Sequence, residues 1–446
     1  MHDLSKIVKA YDIRGVVPDE LDVEVAEALG RAAAVELEAE AVVVGRDMRS
    51  SGVELAEGFM AGVRAQGVDS VDIGLASADL LYYASGRLQL PGAMWTASHN
   101  PARYNGLKLC RAGAEPISLD TGLKQIRDRA QAGDFPVTDD TGTKGEQDLL
   151  GEYAEHVRGF VDVDRMGPVK VAVDAGNGMG GLVVPAVFDG LPAELVPLYF
   201  ELDGTFPNHP PNPIELDNLR DLQAAVREHG CDVGLAFDGD ADRMFCVDER
   251  GEPVSPSLVS AVIAETLLRR EPDATILYNL ICSKVVPETI ERAGGHAVRT
   301  RVGHSFIKAR MKDTGALFAA EHSGHYYFRD NYRADSGLVA AVVLLEALSD
   351  SGGALSELVA PYDRYAASGE INSEVDDQQA VTEEVAEAFA DEGDADWTDG
   401  LTVSGDGWWF NLRPSNTEPV LRLNVEADDP DAMARVRDRV LELVRS

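Results

Sequence analysis

Cysteine is rare in this sequence and nowhere paired. Cys110, Cys231, Cys246 and Cys282 are scattered through 446 residues with no CxxC spacing. Neither a disulfide framework nor a thiolate zinc site is indicated, and each is expected as a buried free thiol. Long apolar runs are missing too. The opening Met1-His2-Asp3-Leu4-Ser5-Lys6 has no signal-peptide core, and Leu338 to Leu348 is too short to span a bilayer and reads as a buried helix. A cytoplasmic protein with no membrane segment is expected. Positive charge is also short: 40 Lys+Arg against 77 Asp+Glu leave a formal net charge of −37. Such a surface repels polyanions, which sets nucleic acid aside as a partner. An anionic substrate would need a locally positive cleft.

What is present is α/β alternation on a scale of several domains, as the length predicts. Ala41 to Gly45 reads as a buried strand, Ser51 and Glu54 form a capping-box pattern opening a helix, and Val68 to Ile73 resumes as a strand. A second set runs from Val169 to Val173, through the Gly-rich Gly176–Gly181, to about Val247. A third begins with a helix after Pro256, includes a strand at Thr275–Asn279 and reaches about Leu358. The last part differs, with strands at Trp408–Leu412 and Val420–Val425 and a helix capped by Asp429-Pro430. The expected domains are 1–145, 146–250, 251–366 and 367–446, three α/β and the last a smaller α+β unit.

Four polar loops follow or interrupt strand-like runs, where α/β folds place their ligands. Thr96-Ala97-Ser98-His99-Asn100-Pro101 presents a serine among small and polar residues, without the GxSxG elbow of a hydrolase. A turn at Asn105-Gly106 is expected to fold Lys108 back over Ser98. Asp238-Gly239-Asp240-Ala241-Asp242-Arg243 sets three carboxylates at alternating positions. At about 4 Å each pair repels by about 4 kcal/mol at an effective dielectric near 20. That demands a divalent cation, and all-oxygen ligands favour magnesium. An EF-hand is excluded, because Arg243 stands where its glycine belongs. A phosphatase using Asp238 as nucleophile is the rival reading. Glu321-His322-Ser323-Gly324-His325 suits hydroxyl recognition, with His325 able to act as acid or base. Arg413-Pro414-Ser415-Asn416-Thr417 offers a dense set of donors for a phosphate.

Together these loops, in this order, resemble the α-D-phosphohexomutase family, and two further matches lie in Tyr11-Asp12-Ile13-Arg14-Gly15 and Gly303-His304-Ser305-Phe306-Ile307-Lys308. The resemblance implies three similar mixed α/β domains and a smaller C-terminal domain around a central cleft. It implies exchange of phosphate between C1 and C6 of a hexose through phosphorylated Ser98 and a hexose 1,6-bisphosphate, which also serves as activator. Magnesium would be held by Asp238, Asp240, Asp242 and the Ser98 phosphate, with Arg243 offsetting charge. Lys108 and His325 would be acid and base. Arg14, His99 and His304 would support substrate, Glu321 and Ser323 would hold sugar hydroxyls, and Arg413, Ser415, Asn416 and Thr417 would grip the idle phosphate. These cations would also make the cleft positive. Asn416 and His322 resemble the phosphomannomutase/phosphoglucomutase branch more than phosphoglucosamine mutases. Mannose phosphate is favoured, then glucose phosphate. A basic residue found near Ile281 in some relatives is absent, with Ser283 and Lys284 following instead. A non-catalytic sugar-phosphate sensor would show a broken nucleophile or metal loop, and neither is broken.

Overall fold

A computed structural model describes residues 3–415 and 420–445. Its strands form four sheets. The first runs, in spatial order, through Ile13–Val16, Tyr104–Arg111, Gly92–Trp95, Ala41–Arg46, Asp69–Leu75 and Lys144–Glu146. The second orders Pro253–Val254, Met244–Asp248, Val233–Phe237, Val169–Asp174 and Ala193–Leu198, and the third His296–Thr300, Thr275–Asn279, Phe318–Ala320 and Tyr326–Phe328. The fourth is wholly antiparallel, with neighbours Ala366–Glu374, Val420–Ala427, Trp408–Pro414, Leu401–Gly405 and Asp394–Asp396.

The first three sheets share one device. Parallel strands linked by helices form the centre, and the last of them turns back through a hairpin into an antiparallel strand. The hairpin loops are 96–103, 238–243 and 321–325, and in the fourth sheet the loop follows Trp408–Pro414. All four polar loops singled out in the sequence are therefore the same structural element. Buried continuous apolar runs such as Val233–Phe237, flanked by polar turns, have no face to spare for water and can only sit inside a sheet covered on both sides.

Two local expectations fail. Ser51 does cap the helix Gly52–Arg64, but its side chain makes no capping bond. Its Oγ instead accepts from Asn105 Nδ2 at 2.9 Å. Nor is there a turn at Asn105-Gly106, which lies inside the continuous strand Tyr104–Arg111. That strand is sandwiched between two others so tightly that a Cβ on Gly106 would lie 2.4 Å from the Ile13 carbonyl oxygen and 2.8 Å from that of Thr96. The glycine serves close strand approach rather than reversal. The strand Lys144–Glu146, which straddles the expected boundary at 145/146, pairs at the edge of the first sheet. The four thiols are free and buried, Leu338–Leu348 lies inside the buried helix Gly337–Ser351, and Asp429 caps the closing helix Pro430–Val444 through Ala432 N–H. Among the described residues no helix is long and apolar enough to cross a membrane.

One hydrophobic core, with members from Val43 to Tyr362, is shared by the first three sheets, and separate smaller cores cover their other faces. The fourth sheet has a core of its own, built from Val385, Phe389, Phe410, Leu423, Val440 and their neighbours. It meets the rest through polar contacts: Arg299 with Asp396 (2.9 Å), Val302 N–H to Asp399 (2.9 Å) and Lys284 N–H to Glu426 (2.9 Å).

Where the first three sheets meet, Asp79 is completely buried. Its carboxylate accepts from Ser77 on its own helix cap, from the Tyr153 hydroxyl (2.5 Å) and from Ser336 Oγ (2.6 Å). Three separate stretches of chain are thus tied to one side chain. Burial pushes the Asp79 carboxyl up to about 6, against the three hydroxyls. The folded state therefore holds an extra proton between about pH 4 and 6, and its stability falls as pH rises through that window. Relative to Asp79→Asn, the wild-type advantage should shrink by about 3 kcal/mol across the window and stay level above it. Urea unfolding of both proteins from pH 4 to 8 measures this. Parallel curves would show that Asp79 does not titrate as described.

Candidate active site

The loop after Gly92–Trp95 is held in an unusual conformation. Ser98 has φ 48°, the left-handed region that a side-chain-bearing residue enters only when its surroundings insist. Its N–H donates to Thr96 Oγ1 (3.0 Å) and its Oγ to Asp238 Oδ2 (2.6 Å). The second hairpin supplies that acceptor. Asp238, Asp240 and Asp242 are all buried, and each offers an oxygen within 4.8 Å of the others. The two loops touch through backbone as well: a Cβ on Gly239 would lie 2.3 Å from the Ser98 carbonyl oxygen. Ala78 N–H donates to the Asp240 carbonyl and Met179 N–H to that of Gly239, both at 2.9 Å. The second contact gives the Gly-rich segment 176–181 its place, as a brace beneath this turn.

Two cations answer the three carboxylates. Lys108 reaches Asp240 Oδ2 and Asp242 Oδ2, each at 2.7 Å, because its strand is antiparallel to Gly92–Trp95 with Lys108 opposite Met94. Arg243 Nε donates to Asp238 Oδ2 at 2.9 Å. Burial works to discharge Lys108, but Asp240 and Asp242 outweigh it and hold its pKa well above the usual lysine range. Burial likewise opposes the Asp240 charge, yet Lys108 keeps that carboxyl below the ordinary range. Asp238 fares differently: burial, with Asp242 and Asp240 adding to it, pushes its carboxyl up to about 7 despite Arg243.

With Asp238 ionised, three carboxylates against two cations leave one negative charge. Asp240 Oδ1 and Asp242 Oδ1 are buried without a hydrogen-bond partner. Buried lone pairs of this kind cost about 1–3 kcal/mol each. Hard oxygen donors, vacant lone pairs and residual negative charge fit a divalent, oxygen-preferring metal ion.

The third hairpin joins the second directly. Arg243 and His325 form an antiparallel bridge, and Met244 N–H donates to the Gly324 carbonyl at 3.1 Å. His325 Nδ1 lies 3.0 Å from Asp335 Oδ2 and 3.9 Å from Asp242 Oδ1, while Lys308 Nζ is 2.8 Å from Asp335. Burial would lower the His325 pKa, but Asp242 and Asp335 reverse that and raise it. With Nδ1 engaged, Nε2 is the nitrogen left for chemistry. Glu321 is fixed by Tyr327 hydroxyl (2.6 Å), Asn279 Nδ2 (3.2 Å) and Gly303 N–H (3.2 Å). Ser323 sits in the turn closed by Gly324 N–H to the Glu321 carbonyl.

The remaining sequence-derived residues lie around this centre. His99 Nδ1 accepts from Arg243 Nη2 (2.6 Å), and burial followed by Arg243 drives its pKa well below the usual value. It is a neutral acceptor here. Arg14 donates to Asn100 of the 96–103 loop and pairs with Asp12. His304 packs edge-on to Tyr11 at 5.0 Å, its pKa lowered to about 3 by burial and then Lys308. Arg413 is buried beside Glu370 at 3.5 Å, and Glu321 rather than the carboxylate trio is among its electrostatic neighbours. Ser415 ends the same hairpin, its N–H donating to the Val420 carbonyl. Asn416 and Thr417 lie outside the described residues. Ile281 is buried, and the Lys284 N–H is taken up by Glu426.

The cations expected to make the cleft positive do not stand free. Arg14, Lys108, Arg243 and Arg413 each stand against a carboxylate. Residues outside the sequence-derived set also belong to the network: Asp335 and Lys308 behind His325, Asn279 and Tyr327 behind Glu321, and Asp47 with Arg49 beneath Ser98. Lys308 was visible within the segment 303–308. Asp335 carries no motif.

Comparison with known proteins accounts for nearly the whole chain. The phosphoglucomutase/phosphomannomutase alpha/beta/alpha domains I, II and III match residues 5–137, 151–251 and 256–365, and the C-terminal domain of that family matches 370–443. A protein named phosphohexose mutases from Xanthomonas campestris pv. campestris is 40% identical over 432 residues, 96% of each chain. A phosphomannomutase of Escherichia coli K12 is 39% identical over 445 residues, 97% of each. The crystal structure of a phosphoglucomutase/phosphomannomutase family protein from Burkholderia thailandensis superposes with TM-score 0.92 at 34% identity, covering 100% of this chain and 98% of the other.

Replacing Lys108 by Met leaves the trio without its shared cation. Without metal the variant should lose about 3–5 kcal/mol of stability. Millimolar divalent metal should return most of that loss, raising the melting temperature of Lys108→Met more than that of wild type. Thermal unfolding with chelator and with metal makes the comparison. Equal shifts in the two proteins would remove the electrostatic link between Lys108 and the metal.

Proposed function

The chain belongs to the phosphoglucomutase/phosphomannomutase family and is a phosphohexomutase, and on that premise we propose that Ser98 carries the phosphate it transfers. The observation supporting this is the short bond from Ser98 Oγ to Asp238, in a buried network that also contains Lys108 and His325. The phosphoryl group leaves Ser98 Oγ for the free hydroxyl of a hexose monophosphate. The P–O bond to serine breaks and a P–O bond to the sugar forms. Lys108, held protonated, returns a proton to Ser98 Oγ, and His325 Nε2 takes the proton of the sugar hydroxyl. The bisphosphate then turns in the cleft, and the same steps in reverse restore phospho-Ser98, so nothing is hydrolysed.

Asp238, Asp240 and Asp242 would hold magnesium beside the Ser98 phosphate. When bound, it supplies charge neutralisation for phosphoryl transfer. Arg243 steadies Asp238 and faces the transferring group. Glu321 and Ser323 receive sugar hydroxyls, with Tyr327 and Asn279 fixing the carboxylate. Arg14 and His304 flank the substrate, with His99 at the nucleophile loop. Arg413, Ser415, Asn416 and Thr417 grip the phosphate that does not react. A hexose 1,6-bisphosphate primes Ser98.

The preferred substrate is mannose phosphate, then glucose phosphate, a ranking supported by full-length relatives near 40% identity that are named phosphomannomutase. A cytoplasmic location accords with four unpaired thiols. The phosphatase reading has less support, because Asp238 already accepts from both Ser98 and Arg243 and is poorly placed to attack.

Ser98→Ala should lower turnover by roughly 10³-fold or more. A coupled assay of mannose, glucose and glucosamine 1-phosphates should rank them in that order, without release of inorganic phosphate. Turnover undiminished in Ser98→Ala, or stoichiometric phosphate release, defeats the mutase mechanism. Glucosamine 1-phosphate emerging as the best substrate overturns the ranking alone.

A further inference from the structure

Arg49 takes no part in the steps above, yet it is 1% exposed and its guanidinium is committed almost wholly to the nucleophile loop. Its Nη2 donates to the carbonyls of Ser98 and Asn100, both at 2.7 Å. Its Nη1 donates to the carbonyls of Pro101 (2.9 Å) and Tyr104 (3.0 Å). The fifth N–H, on Nε, meets Asp47 Oδ2 at 3.2 Å. All five guanidinium donors are therefore used, in the fixed planar fork that only arginine offers. Asp47 is itself fully buried and accepts Arg49 N–H through Oδ1 (3.0 Å), so the arginine side chain is set from its own backbone.

The other side of the guanidinium is closed by the second domain. Phe206 places its ring 5.1 Å from Cζ. Gly204 presses so close that a Cβ there would lie 2.7 Å from Arg49 Cα. The same domain carries Asp238, Asp240 and Asp242. Arg49 thus lies between the loop that bears Ser98 and the domain that bears the carboxylates. It gathers four carbonyls that would otherwise repel one another around a serine already in the left-handed region.

We propose that Arg49 is the positioning residue of the nucleophile loop: it touches neither substrate nor phosphate, but sets where Ser98 Oγ stands relative to Asp238. The inference rests on the assignment of Ser98 as the phosphate carrier. An arginine acting this way governs the phosphoryl step and leaves sugar binding alone. A lysine in its place has three donors, tetrahedrally arranged, for five acceptors in a plane.

The test compares wild type, Arg49→Lys and Phe206→Leu, each normalised to folded protein by size exclusion and circular dichroism. In Arg49→Lys, kcat should fall about 100-fold with KM within twofold, as expected for a displaced reacting atom. The rate at which a hexose 1,6-bisphosphate phosphorylates Ser98, followed by intact mass, should fall by the same factor. The ³¹P resonance of the phosphoserine should shift or broaden. Phe206→Leu keeps every hydrogen bond of Arg49 and removes only the covering ring. It should show the same pattern at about one-tenth the size, and it decides the matter if Arg49→Lys does not fold. Phosphorylation within threefold of wild type and an unmoved ³¹P resonance, in whichever variant folds, reduce Arg49 to a packing residue and overturn the proposal. Wild-type protein that takes no phosphate at Ser98 defeats the assignment of the nucleophile instead.

Discussion

Three buried carboxylates in a six-residue turn are the constraint on which the molecule is organised. No local arrangement of residues 238–243 relieves their repulsion, since Arg243 answers Asp238 and leaves two charges over. The missing cation is Lys108, more than 130 residues earlier in the chain and on another sheet. The first two domains must therefore be joined for the turn to exist at all. The electrostatic requirement is met by tertiary structure, which makes the site a device that exists only in the assembled protein.

The manner of assembly explains what the sequence disclosed. The strands Thr275–Asn279 and Val233–Phe237, the buried helix near Leu344 and the Asp429 cap were legible because apolar period and capping chemistry are local. The four candidate loops were legible for a related reason: polar clusters between buried strands stand out against the apolar runs on either side. Their equivalence as hairpins was not, because hairpins with loops of five to eight residues leave no turn signature. Asn105-Gly106 did carry such a signature and it misled, since strand packing used the glycine for room. Ser51 was misread because Asn105 competes for its hydroxyl. Asp79, Arg49 and Asp335 were invisible. Their partners are other residues' hydroxyls, carbonyls and charges from remote segments, and Asp79 meets Ser336 across a separation of 257 residues.

The pairing of every named site cation with a carboxylate changes how a surface of charge −37 meets an anionic substrate. Free guanidinium groups in a cleft would bind any anion and hold it. Paired ones must exchange a carboxylate for a phosphate, so that only a ligand able to compete on several fronts is retained. Selectivity against simple anions then follows from the acidity of the protein rather than in spite of it.

The separate apolar core of the fourth sheet has a different kind of consequence. The first three sheets share one interior, beside smaller cores on their other faces, so a change that reshapes the Asp238 loop is felt through packing common to all three. The last sheet is insulated, touching its neighbours through ionic and backbone contacts that tolerate rearrangement. The fourth sheet can therefore shift against the other three at the cost of a few polar contacts, without opening the interior that those three share.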